Sequence, residues 1–267
     1  MSFLTVLTRE AMIGQEAWSP FSAQHLVVRT GSWDRLLTLV RERPVTGVIL
    51  DSDALPVRGD EEVPVIDLIR RFPSVAIVFV ARPGMSRQAL FRMGRAGLRS
   101  LVLLPLEDLV QDLGRATSRA FATSTSAIVT RLVSGRLPRR EMKAIRAAMD
   151  GVSWGWGADQ FAEGLGLTRA HLSVGLRSSG LPSAGHLLIW AKLLHAGRWL
   201  TDPGRTAESV SRQLGYSSGA AFRRVLRNYV GGTPTELIQR GGLRPVLDRF
   251  LNACNLEGRT GLGRHLA

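Results

Sequence analysis

Five short, nearly unbroken apolar runs recur along the first 105 residues. They are FLTVLT (3–8), HLVVRT (25–30), VTGVIL (45–50), VAIVFV (75–80) and SLVLLP (100–105). A run without polar alternation suits a strand buried on both faces, as in a parallel sheet covered by helices. Helical patterns lie between most of the runs. Trp33, Leu36, Leu37 and Val40 share one face of 32–42; Val65, Ile66, Ile69 and Phe72 do so for 63–72, and Leu90, Met93 and Ala96 for 86–96. Alternation of this kind predicts right-handed crossovers and a three-layer α/β unit, a doubly wound five-stranded parallel sheet. The stretch AMIGQEAWSPFSA (11–23) carries Gly14 and Pro20, which predict a short or irregular first crossover.

The second half has a different grammar. Residues 106–134 read as helix, with Leu106, Leu109, Leu113, Ala120 and Ile128 on one or two faces. SGRLPRRE (134–141) then marks a boundary. Beyond it a repeat emerges: Ala158, Phe161, Ala162, Leu165 and Gly166 recur 49 residues later as Ala207, Val210, Ser211, Leu214 and Gly215. Each copy predicts a short helix ended by a glycine turn and followed by a second amphipathic helix, 168–180 and 217–231. Helix, glycine turn, helix is the sequence form of a helix-turn-helix, and the small Ala162 and Ser211 sit where the two helices must cross closely. An all-helical unit is therefore expected after the sheet.

Charge agrees with that division. The 267-residue chain has a formal net charge of +13. Residues 1–134 contribute +3 and residues 135–267 contribute +10, an asymmetry that fits either a polyanion partner for the second half or a solvated basic surface. The single cysteine, Cys254, excludes a disulfide framework and a four-cysteine zinc site. No apolar run approaches the roughly 18 residues of a membrane span, and MSFLTVLTRE lacks the form of a signal peptide. A cytoplasmic address with no membrane partner is expected. No nucleophile–base set, phosphate-binding glycine loop or metal-ligand cluster is present, so neither an enzyme nor a bound cofactor or metal is expected.

Five β/α units, a third strand running into VILDSDALP (48–56), a QALFRMGRAG helix (88–97) and a fifth strand ending LLPLEDL (103–109) resemble a response-regulator receiver domain. The resemblance implies that Asp51 occupies the phosphoacceptor position. The surrounding chemistry departs from that family. Where receivers hold magnesium with an acidic pair, this chain has Thr8 and Arg9, with Glu10 nearby. Val80 stands at the family's hydroxyl position and Leu104 at its lysine. A transferring phosphoryl group would have no clamp. Asp51 is read as a vestigial phosphoacceptor, a strand-end carboxylate capping backbone or paired with Arg9.

LGYSSGAAFRRVLRNYVGGTPTEL (214–237) fills the second motif of the AraC/XylS family from Gly215 to Pro234. LLIWAKLLHAGRWL (187–200) is similar to the long helix that joins that family's two motifs, with Lys192 in place of its usual arginine and Ala196 at its small residue. The resemblance covers roughly 141–240. It implies two helices that present their N-terminal residues to the major groove. In the second, Phe222, Val225 and Leu226 face the core; Ser218 is the N-cap, and Gly219, Ala220 and Arg223 point outward. Arg223 is the expected guanine reader, while Arg224 and Arg227 are phosphate clamps. In the first, Leu172 and Leu176 face in, Arg169, Ala170 and Ser173 face out, and Arg177 lies near the backbone. Position 174 is valine where a polar residue is usual.

The division expected is a receiver-like domain over 1–112, a helical connector over 113–140, an AraC-type domain over 141–245 and an extension over 246–267 that either caps the domain or trails from it. The expected function is sequence-specific binding of double-stranded DNA for transcription regulation. The receiver-like domain would serve homodimerisation or docking without phosphorylation. One alternative is a two-component regulator phosphorylated at Asp51, and another is an interaction scaffold with weakened DNA binding. Whether RNA polymerase or another regulator is a further partner stays open at this level.

Overall fold

The computed structural model describes residues 2–8, 22, 25–56, 60–104 and 109–256. β1 (Ser2–Leu7), β2 (His25–Thr30), β3 (Val45–Asp51), β4 (Ala76–Ala81) and β5 (Ser100–Leu103) form one parallel sheet in the order β2-β1-β3-β4-β5. The helices between them are α1 (Trp33–Glu42), α2 (Val63–Arg71) and α3 (Arg87–Ala96). Leu36 and Val40 of α1, Val65 and Leu68 of α2 and Met93 of α3 pack with Leu7, Val48, Leu50 and Phe79 on one face. On the other face Leu4, Val6, Ile49, Val78 and Val80 meet Leu113, Ala116 and Ala120 of α4 (Leu109–Phe121). Three layers result, as the strand runs predicted. The irregular crossover expected over 11–23 lies outside the described residues but for Ser22.

The outer strands depart from the expectation of burial on both faces. Leu101 and Leu103 of β5 are 41% and 53% exposed, alternating with buried Ser100 and Val102. β5 is an edge strand, so one of its faces has no helix over it. β2, at the opposite edge, is likewise only half-buried.

The described residues beyond α4 form helices: α5 (Thr125–Val133), α6 (Arg139–Trp154), α7 (Ala158–Glu163), α8 (Arg169–Ser178), α9 (Ala184–Trp199), α10 (Ala207–Gln213), α11 (Gly219–Val230), α12 (Pro234–Gln239) and α13 (Leu243–Ala253). α9 runs through the centre, burying most of its length, Trp190 and Trp199 included. Two expected boundaries cut through helices. Residue 112 falls inside α4, whose buried face belongs to the sheet, and residue 245 falls inside α13. Val246, Leu247, Phe250 and Leu251 of α13 are core residues against α9, so this part of the extension caps the domain. Cys254 is 2% exposed there, and burial pushes its thiol up to about 12. Among the described residues no helix is long and apolar enough to cross a membrane.

Candidate nucleic-acid interface

The sequence repeat is a structural repeat. In the first copy Leu167 N–H donates to Ala162 O (3.0 Å) and Gly166 N–H to Glu163 O (2.9 Å). In the second, Tyr216 N–H donates to Ser211 O (3.1 Å) and Gly215 N–H to Arg212 O (3.0 Å). Gly166 and Gly215 hold φ of 71° and 72°, the left-handed conformation that glycine adopts without a Cβ penalty. The same turn thus leads from α7 into α8 and from α10 into α11. Ala162 and Ser211 are fully enclosed at the crossings. The Ser211 hydroxyl donates to Ser218 O (3.2 Å), tying α10 to the start of α11.

Each second helix opens on a side-chain cap. Thr168 Oγ1 accepts from His171 N–H (3.2 Å), and Ser218 Oγ accepts from Ala221 N–H (3.1 Å). Caps of this kind satisfy orphan donors of the first turn, leaving its outer side chains free to face a ligand. Leu172 and Leu176 of α8, with Phe222 and Leu226 of α11, are buried. Val225 is half-buried. Arg169, Ala170 and Arg177 of α8 are exposed, as are Ala220, Arg223, Arg224 and Arg227 of α11.

Two residues expected to point outward do not. Gly219 is buried, because the Glu208 carboxylate of α10 lies over the place its Cβ would take. Ser173 is half-buried, and its hydroxyl accepts from Ala184 N–H at 3.3 Å, so it ties α8 to α9. The first-copy counterpart of Glu208 is the exposed Asp159. In the fold Glu208 brings an acceptor beside Arg223, whose Nη1 approaches the same point.

The connecting helix supports the second copy from beneath. Lys192 Nζ sits 5.4 Å above the Tyr216 ring, which packs on Phe222 at 5.4 Å between centroids. Burial lowers the Lys192 ammonium from its ordinary range and raises the Tyr216 phenol to about 12.

Asp51 lies at the C-terminal end of β3, 1% exposed. It accepts from Asp53 N–H (3.0 Å) and Thr8 Oγ1 (3.4 Å). Arg82, just beyond β4, places Nε 4.0 Å from its carboxylate and also pairs with Asp53. The expected partner Arg9 lies outside the described residues. Val80 pairs with Asp51 across the sheet and is fully buried, and Leu104 is half-buried with its N–H on Ala81 O. The guanidinium of Arg82 thus stands at this carboxylate, and neither a hydroxyl at 80 nor an amine at 104 is available.

The sheet unit clasps the second copy. Ser74, after α2, donates its N–H and hydroxyl to the Asp202 carboxylate at 2.9 and 2.5 Å. Asp202 also takes Arg205 Nε at 3.0 Å, with both side chains fully enclosed. Arg205 Nη1 donates to Gln213 Oε1 (2.5 Å), whose amide donates to Arg41 O of α1. Gly204 N–H donates to Arg71 O at 2.8 Å.

Comparison with known proteins gives one family. The sequence model described as "Helix-turn-helix domain" matches residues 161–240, from the end of α7 to just past α12. No curated protein matches the chain. Solved structures similar to it include NtrX from Brucella abortus in complex with ATP, at 16% identity and TM-score 0.39, covering 57% of this chain and 35% of that one. Full-length FixJ from B. japonicum covers 84% of this chain and 95% of its own, at 13% identity and TM-score 0.37. The xylose-binding transcription activator xylR covers 90% and 70%, at 14% identity and TM-score 0.37. The chain spans about a third of the length of NtrX. At such scores these likenesses carry no argument about function.

Proposed function

We propose that this chain, whose residues 161–240 are a helix-turn-helix domain of AraC type, is a sequence-specific DNA-binding transcription regulator acting in the cytoplasm. The observation that carries the reading is the duplicated turn, with identical hydrogen bonds in both copies and arginines on the outward faces of α8 and α11. Arg223 reads a guanine edge, where a planar fork matches O6 and N7. Arg169, Arg177, Arg224 and Arg227 hold phosphates, and Ala170 and Ala220 allow close approach to the groove. Ser218 contributes as the cap that sets the angle of α11.

The sheet unit acts as a docking or dimerisation module, without phosphorylation. Support for docking comes from Leu101 and Leu103 on the open edge strand and from Phe91 of α3, 65% exposed. An edge strand with outward leucines is a template for pairing. Support for phosphorylation independence comes from Arg82 at Asp51 and from the apolar Val80 and Leu104.

Footprinting on selected sites tests the reading: one protomer protects two successive major grooves on one face of the duplex, about 34 Å apart. Affinity falls steeply with salt as counterions are released. Salt-insensitive binding, or protection of a single groove, would overturn it. The two-component alternative is tested separately with acetyl phosphate, magnesium and intact-mass measurement. The expected result is no phosphoryl gain; a stoichiometric gain abolished by Asp51→Asn would establish the alternative.

A further inference from the structure

A cavity of about 850 Å³ opens where the sheet unit meets the helical unit. Thr117 and Phe121 of α4 line one side, with His25 at the start of β2. Thr130 and Arg131 of α5 line the other, with Arg146 and Asp150 of α6. Phe121 is a fixed wall, because its ring lies against the backbone of Gly47 and edge-on to His25 at 5.2 Å.

Two features mark this space as a site rather than a gap. Thr117 is 2% exposed, and among the described residues neither its hydroxyl nor the buried hydroxyl of Thr130, also lining the cavity, has a hydrogen-bond partner. A buried hydroxyl without a partner forfeits the bond it made to water. Two such groups around one cavity suit a ligand that arrives with oxygens of its own. The second feature is charge. Arg131 spends one nitrogen on Ala122 O at 2.8 Å, and Arg146 is exposed. Asp150 accepts from the Ser126 hydroxyl at 3.0 Å. Burial holds the His25 imidazole below its ordinary range, against the pull of Asp150. Among the described lining residues, two guanidiniums against one carboxylate give a net positive charge.

We propose that this cavity binds a small hydroxylated organic anion, a sugar acid or a sugar phosphate. Its oxyanion pairs with Arg131 and Arg146, and its hydroxyls meet Thr117, Thr130 and Asp150. Such a ligand touches both units at their joint and favours the arrangement of the units in which those walls face each other. The inference goes beyond the DNA-binding reading, and ligand binding is measured without DNA, so either can fail alone.

Calorimetric titration of the full chain with gluconate, glucose 6-phosphate and glucose tests it. At least one of the two anions binds, which decides between carboxylate and phosphate, and neutral glucose does not. Arg146→Ala weakens binding at least tenfold. Gly114 of α4 lines the cavity, and a Cβ there meets nothing within 4 Å. Gly114→Phe therefore fills the site and abolishes binding. Thr117→Val removes an unpartnered hydroxyl; it weakens binding severalfold while leaving the ligand-free melting temperature unchanged or higher. Failure of both anions to bind, or binding undiminished in Gly114→Phe and Thr117→Val, overturns the proposal. Equal binding of glucose overturns its anionic part.

Discussion

Ala170 and Val174 stand one helical turn apart on the outward face of α8, and Val174 is 59% exposed. An apolar side chain on the reading face of a groove helix has a natural partner in the thymine methyl. Replacing contacted thymines by deoxyuridine in a selected site should weaken the wild type by about 1 kcal/mol, the scale of one buried methyl group. Val174→Ala should be nearly indifferent to that exchange. Equal losses in the two proteins would remove valine from the reading set. On α11 the arginines divide by position. Arg223→Ala should cost about 1–3 kcal/mol on the selected site and relax preference at one base pair. Arg227→Ala should weaken selected and random duplexes alike. Indistinguishable profiles for the two variants would erase the distinction between reader and clamp.

At the scale of elements, α9 is held to α6 by a histidine that burial keeps neutral until well below pH 6.5. His195 is 6% exposed, with Nε2 3.1 Å from Met149 O and its ring 5.1 Å from that of Trp199. Burial lowers its pKa from 6.5 to about 4. The unfolded chain therefore binds the extra proton first as pH falls. The stability this group contributes is fully present above pH 6.5 and is lost progressively down to about pH 4. Between pH 7 and 4.5 the wild type should lose about 2–3 kcal/mol more than His195→Gln, read by urea unfolding. Parallel losses in the two proteins would show that the ring is protonated without cost.

For the whole molecule, the clasp around Asp202 makes two units into one. Phe72 and Ser74 of the sheet unit lie against the enclosed Asp202 and Arg205, with the guanidinium 5.6 Å from the Phe72 ring. Desolvation pushes the Asp202 carboxyl up, and Arg205 and then Ser74 pull it back. Ser74→Ala should cost about 1.5–3 kcal/mol, the range for hydrogen bonds to a charged group. A Cβ at Gly204 would stand 2.6 Å from the Phe72 ring and 2.9 Å from Arg71 O. Gly204→Val should therefore pry the units apart and split a single calorimetric transition into two. One unsplit transition in that variant would mean that the units are coupled elsewhere.

What local pattern can encode, the amino-acid sequence determined by itself. Unbroken β-branched runs announced β1, β3 and β4, because a strand buried on both faces has no polar alternation to hide. The repeat at 49 residues announced both turns, because Gly166 and Gly215 answer a backbone need that is met within a few residues. Charge asymmetry placed the basic surface in the same half. The tertiary structure decided whatever depends on residues far apart in the chain. Leu101 and Leu103 are exposed because β5 is an edge, a fact of strand order rather than of strand composition. Gly219 and Ser173 are withdrawn from the outward face by Glu208 and by α9, neither of which has a fixed offset from them. Arg82 reaches Asp51 from the next strand. Ser74 meets Asp202 across 128 positions, and the cavity walls come from four separate elements. Contacts of that kind are set by how whole layers pack, and packing leaves no period in the sequence to read.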